Sequence, residues 1–429
     1  MVRVKRLGFG ALLLALGVAL AACSPAAPAG SGAPAPEAPA SKPANEQAAG
    51  PTAGPIDVPP APQRQDGPSA VKVPEQSEAA FRGDLQRSGV YRTHGPSESP
   101  HLKWKFSTGN GVYSSPAVAA GTVYFGSRDG YFYAVERESG QEKWKLKTGH
   151  AVRSSPAVQD GVVYFGSHDG RLYAVDAASG EMKWAFRTRG AADDSAAAGA
   201  VESSPAVCEG VVYTGSSDGY VYAIDAASGK EKWHFRTEGM VLSSPALADG
   251  LLYIGSYDGH LYALDAQTGA LRWQFQTGDS VYSTPAVAGG TVFFGSLDGK
   301  VYAVDSRSGR LKWSFRTAGA IVWSSPAVEG GVVYIGAYDG NLYALDAATG
   351  QVKWRYWTGK KAVYSSPAVA DGIVHFGSRD GYLYAVNTQT GRLEWKFQTG
   401  AGIESSPVVA EGIVFCGSED GQLYALSDK

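Results

Sequence analysis

From residue 101 onward the chain is written in short apolar runs separated by glycine turns. Residues 152–188 show the pattern. Val152–Val158 reads as a strand, A, followed by Asp160-Gly161, a pair that tolerates the positive φ of a tight hairpin. Val162–Gly166 is strand B, rich in β-branched and aromatic residues. Ser167-His168-Asp169-Gly170 reverses the chain; its spacing is that of a turn and not of an EF-hand calcium loop. Strand C, Arg171–Asp176, sets Leu172, Ala174 and Asp176 against Tyr173 and Val175. Ala177-Ala178-Ser179-Gly180 turns again, with the Asp176 carboxylate placed to cap it. Met182–Thr188 is strand D and carries Trp184. No stretch has a convincing helical period.

This unit recurs eight times. Tryptophans stand at Trp104, Trp144, Trp184, Trp233, Trp273, Trp313, Trp354 and Trp395, in steps of 40, 40, 49, 40, 40, 41 and 41. Ser-Ser-Pro or Ser-Thr-Pro triplets end at Pro116, Pro156, Pro205, Pro245, Pro285, Pro326, Pro367 and Pro407, and an Asp-Gly pair recurs with them. Four antiparallel strands in about 40 residues is the measure of a propeller blade. The predicted fold is all-β: an eight-bladed propeller over 101–429. The last unit has strands A to C and then stops, whereas an orphan strand D, Leu102-Lys103-Trp104-Lys105-Phe106, precedes the first unit. Joining the two closes the ring and removes an open sheet edge.

Composition agrees. Glycine is 55 of 429 residues and charged residues are 18%, which excludes a helical bundle or a disordered chain. A net charge of −3 offers no field for nucleic acid. Three cysteines cannot staple a body of this size. Cys208, ending a strand A, and Cys416, inside a strand B, read as small packed or turn residues.

The N-terminus is different in kind. Arg3, Lys5 and Arg6 precede an apolar run from Leu7 to Leu20, too short to span a bilayer comfortably. Leu20-Ala21-Ala22-Cys23 resembles the lipobox of bacterial lipoproteins, which implies a signal peptide at 1–22 and acylation of Cys23. Residues 23–78 hold thirteen of the 23 prolines among Ala, Gly and Ser, the composition of a tether. Residues 79–100 are a lead-in. Its Arg82-Gly83-Asp84 triplet belongs to that lead-in and not to an integrin ligand.

Ala174-x-Asp176-x-x-Ser179-Gly180-x-x-x-Trp184 resembles the tryptophan-docking repeat of the pyrroloquinoline quinone (PQQ) propeller family. The pattern returns at Ala223–Trp233, Ala263–Trp273, Ala303–Trp313 and Ala344–Trp354; Glu136 and Asn387 replace the aspartate in the first and seventh blades. The resemblance implies that the eight tryptophans pack between blades. The family holds PQQ dehydrogenases and also the BamB-type lipoproteins of outer-membrane β-barrel assembly. The dehydrogenases use calcium, an aspartate base and often a pair of adjacent cysteines. This chain has no Cys-Cys pair, no Cys-x-x-Cys-His motif, and one insertion of about nine residues within Arg189–Ala200. The reading is therefore a non-enzymatic, lipid-anchored extracytoplasmic scaffold, at the periplasmic face of the outer membrane or the cell surface. It would be monomeric, would bind envelope or membrane proteins, and would use neither metal nor cofactor. The alternative is a PQQ- and Ca-dependent dehydrogenase or small-ligand binder.

Variation within the repeat locates the candidate binding face. One column precedes the Ser-Ser-Pro triplets: Tyr113, Arg153, Glu202, Leu242, Tyr282, Trp323, Tyr364 and Glu404. A second lies in the Ser-x-Asp-Gly turns: Arg128, His168, Ser217, Tyr257, Leu297, Tyr338, Arg379 and Glu419. A strand meander puts both columns, and the 189–200 insertion, on one face around the channel mouth. Tyr, Trp and Arg dominate binding hot spots, and Arg128 and Arg153 could clamp an anionic group. The competing reading is that the rings plug the channel and the charges are solvated. No nucleophile stands beside a base, so no reaction is assigned.

Overall fold

A computed structural model describes residues 79–96, 99–191, 199–321 and 323–428. The lipobox, Cys23 and the tether lie outside these residues, as does 192–198 of the insertion. The described residues form eight four-stranded antiparallel sheets arranged as blades. In blade 2, strand A is Ala157–Gln159, B is Val162–Gly166, C is Arg171–Asp176 and D is Met182–Arg187. Strands B and C are sandwiched between neighbouring blades and buried on both faces, whereas D alternates and carries exposed charges along the outer edge.

Strand A is shorter than its sequence suggested. Val152–Pro156 stays outside the ladder, which begins at Ala157 opposite Tyr164. Pro156 has no N–H to give, and the Ser155 N–H points sideways to the Ser204 hydroxyl of blade 3 at 3.0 Å. Each blade repeats this move. The N–H groups of Ser115, Ser155, Ser204, Ser244, Thr284, Ser325, Ser366 and Ser406 each donate to the hydroxyl of the next residue in that series, at 2.9–3.2 Å. The last, Ser406 to Ser115, returns to blade 1. The triplets are thus a buried belt of hydrogen bonds around the channel.

The ring also closes through its sheets. Strand His101–Ser107 pairs antiparallel with Gln422–Ser427, from His101 opposite Ser427 to Ser107 opposite Gln422, and supplies strand D of blade 8. The tryptophans lie between blades. Each indole N–H donates to a carbonyl beyond its own blade, as Trp144 does to Ala177 at 3.1 Å. A register shift one residue before each tryptophan turns it toward that neighbour. Gly180 (φ +75°) lies flat on the Trp144 ring, where a Cβ would stand 2.6 Å from it. An indole buries ~150–250 Å², so these contacts are a main source of blade-to-blade cohesion. The turn aspartates are saturated: Asp169 accepts from the Arg171 N–H, the Tyr173 hydroxyl and the Gly149 N–H. Asp176 caps its turn through Ala178, Ser179 and the Ser179 hydroxyl. Cys208 and Cys416 are buried thiols.

The lead-in is a strap across the face opposite the B–C turns. Its backbone pairs in turn with the inner strands of blades 2, 4, 5, 6 and 7, at Val158, Leu247, Val287, Val328 and Val369. Arg87 is fully buried over the channel and donates to the carbonyls of Ser204, Pro205, Pro245 and its own strap's Phe81. Arg82 is buried beside it, donating to the carbonyls of Pro326 and Arg87. Both arginines adopt the left-handed region, φ 64° and 58°, an unfavourable conformation that these contacts hold in place. Burial pushes Arg87 down to about 9, with Asp84 pulling the other way. The Arg82-Gly83-Asp84 triplet is therefore part of the fold. The strap also completes blade 8, whose missing C–D turn would leave Trp395 without an acceptor: Pro96 O takes that indole N–H at 3.2 Å.

Candidate functional site

The first variable column lines the channel. All eight of its side chains surround a cavity of about 120 Å³, with the serine belt below them and Phe81 of the strap also in its lining. Two kinds of surface divide it. On blades 4 to 7, Tyr257, Tyr282, Trp323, Tyr364 and Tyr338 form an arc of rings, mostly edge to face. Trp323 and Tyr364 are the closest pair, with centroids 4.5 Å apart.

The rest of the ring is mainly charged, with Tyr113 and Leu242 among the charged side chains. Glu202 Oε1 lies 2.7 Å from His168 Nε2 and 3.3 Å from Arg153, and Oε2 accepts from the Tyr282 hydroxyl at 2.8 Å. Burial alone would raise this carboxyl, but the hydrogen bond and charge of His168, with Arg153 and Tyr282, hold it at about 2. Tyr282 is pushed well above its ordinary value by burial and by Glu202. Across the mouth, Arg379 lies 3.5 Å from Glu404 and 3.3 Å from Glu419, with its guanidinium over Tyr364. Burial and then Glu419 raise Glu404 to about 7, against the partial offset of Arg379. Tyr113 carries two guanidiniums: Arg153 at 4.8 Å from its ring and Arg128 at 5.2 Å.

Both predicted columns thus meet at one mouth, but they differ. The inner column is largely packing: Tyr364 is buried, and Arg153, expected as an anion clamp, is committed to Glu202. The outer column is more open to solvent: Arg128, Tyr338 and Arg379 are exposed, and His168, Ser217, Tyr257, Leu297 and Glu419 are partly buried. Arg189 and Gly190, where the insertion leaves blade 2, bond to Glu231 and Asp218 of blade 3. Sequence reasoning missed the strap's Phe81 and the serine belt. A signal for the belt was present, since the one Thr in that column, Thr284, keeps the hydroxyl.

The family's cofactor does not fit the central cavity. Small-ligand sites run to about 300–1,000 Å³, well above this one, and its charged groups already satisfy one another. Among the described residues no three His, Cys, Asp or Glu side chains are grouped to hold a metal.

A family model described as outer membrane protein assembly factor BamB matches residues 97–239, 189–313, 217–366 and 356–429. The chain belongs to the BamB family. No curated protein matches its sequence. Among solved structures, BamB from Moraxella catarrhalis aligns with a TM-score of 0.64 at 20% identity, over 76% of this chain and 99% of that one. The computationally designed Ika8 protein aligns at 0.66 and 18% identity, over 78% and 100%. Quinohemoprotein alcohol dehydrogenase from Comamonas testosteroni aligns at 0.72 and 16% identity, over 82% and 80%. At these identities the likeness shows the propeller fold, shared by BamB proteins and quinoproteins alike.

Proposed function

We propose that this BamB-family protein is an extracytoplasmic scaffold, anchored to the membrane through acylated Cys23, which holds envelope proteins at its mouth during outer-membrane protein assembly. The observation that carries this reading is the division of labour within the repeat. Recurrent serines, aspartates and tryptophans spend their polar groups inside the ring, while exposed side chains at the mouth differ from blade to blade. A rigid frame with individual, aromatic- and arginine-rich tips has the composition of a binding surface. The described chain begins at Ala79, which pairs with Val158 on the strap face. The lead-in thus starts on the face opposite the mouth, and a tether raises the local concentration of the disc near membrane partners.

The test is crosslinking in native membranes with a benzophenone side chain at Arg128 or Leu297 on the mouth, compared with Ala178 or Gln267 on the far face. Protein adducts should form from the mouth positions, and Cys23→Ser should release the chain from the membrane fraction. Adducts confined to the far-face positions would contradict the reading. Alcohol-dependent dye reduction with added PQQ and Ca²⁺ would replace it with an oxidoreductase.

A further inference from the structure

Two tryptophans lie outside the docking series, Trp323 and Trp357, and both belong to blade 6. Trp323 faces the channel. Trp357 ends strand D on the mouth side, paired in register with Asn341, and is 61% exposed. At its place other blades carry polar residues such as Lys147, Arg187 and Gln398. Tyr338, in the B–C turn of the same blade, is 58% exposed, and its ring lies 6.1 Å from that of Tyr364. Blade 6 thus presents three aromatic side chains on its mouth side, Trp323 at the channel, Tyr338 in the turn and Trp357 at the end of strand D. The connections on either side of it also depart from the repeat. Tryptophan-to-proline spacing is 12 in most blades but 13 from Trp313 to Pro326 and from Trp354 to Pro367.

The second of these longer connections holds Lys360 and Lys361, both exposed and without an ion pair among the described residues. They border a cavity of about 350 Å³ together with Tyr338, Tyr364, Arg379 and Glu419. Arg379 is shared between Glu404 and Glu419, and of these two only Glu419 borders the cavity with the three cations. The cations therefore exceed the anions here, although the whole chain is acidic. Exposed aromatic surface beside uncompensated positive charge is costly to leave bare and complementary to an acidic, apolar partner.

We infer that the mouth side of blades 6 and 7 is the docking site for an extended acidic segment of a partner protein, which places an aromatic or large apolar side chain in the Tyr338–Tyr364 cavity, its carboxylates on Lys360 and Lys361, and its outer end against Trp357. This rests on the scaffold reading and names the partner's chemistry.

The test uses the full chain and a fluorescein-labelled peptide of four Glu-Asp-Phe repeats, read by anisotropy. A peptide with Lys in place of Glu and Asp, and another with Ala in place of Phe, serve as controls. Lys360→Glu with Lys361→Glu should weaken binding at least tenfold, as should Tyr338→Ala with Trp357→Ala, with melting temperatures unchanged because these side chains are exposed. Both control peptides should bind at least tenfold more weakly. Equal affinity in either double variant, or equal binding of either control, overturns the proposal. So does tighter binding on deletion of residues 24–75, which would assign the cavity to the chain's own tether. A dimer in sedimentation that depends on Lys360 and Lys361 would assign it to a second copy and overturn it too. Arg128 and Leu297 lie outside this cavity, so crosslinking from them can succeed where this site fails.

Discussion

Glu404 shows how one position turns a repeated frame into an individual site. Its counterparts in other blades are aromatic, aliphatic, a second Glu or Arg; here a half-buried carboxyl sits beside Glu419 and shares Arg379 with it. Its folded value of about 7 lies above the ordinary carboxylate value of about 4.3. The folded state therefore binds the proton more tightly. The stability this contributes is full below about pH 4.5 and is lost as pH rises through 7. Glu404→Gln keeps the size and removes the charge. In thermal melts the variant should match the parent near pH 5 and exceed it at pH 8 by about 1–2 kcal/mol. A parent as stable as the variant at pH 8 would mean that the two carboxylates do not repel as described. Glu202 has the opposite sign. Held at about 2, it contributes stability above about pH 4.5 that is lost as pH falls toward 2. At this scale the sequence told which side chains would gather but not how they pair. Arg153 and Glu202 stand in different blades, and their distance follows from ring curvature, which no local pattern records.

At the scale of elements, strands B, C and D were legible because each is bounded by a turn with its own chemistry. Strand A was overread. Apolar and small residues continue through Val152–Val158, but Pro156 and the sideways serine N–H groups keep the first part out of the ladder. The strap was not legible from its own residues. It bonds largely through its backbone, and its key side chains are arginines, which read as solvated charge until they are found capping buried carbonyls. One indirect sign existed: eight docking tryptophans face only seven C–D turns, so something else had to receive Trp395. Arg87→Met leaves three channel carbonyls without a donor and keeps the unfavourable φ. Each bare buried group costs about 1–3 kcal/mol, so the variant should lose at least ~3 kcal/mol in chemical denaturation. A loss below about 1 kcal/mol would show that the strap does not lock the ring.

At the scale of the molecule, three independent devices join the two ends of the propeller. They are the strand pairing of His101–Ser107 with Gln422–Ser427, the Ser406-to-Ser115 link of the belt, and Pro96 under Trp395. Together they make blade 8 like its neighbours and fix all eight mouth loops in one frame, and the proposed binding face depends on that frame. Closure was readable in the sequence because the register of the repeat leaves one strand D spare and one missing. The direct test is hydrogen exchange of the full chain, comparing the segment His101–Ser107 with strand D of an internal blade, such as Leu271–Gln276. A closed ring predicts equal slow exchange in both, released only by global unfolding. Exchange of His101–Ser107 within seconds, with Leu271–Gln276 still protected, would show an open ring and contradict the account.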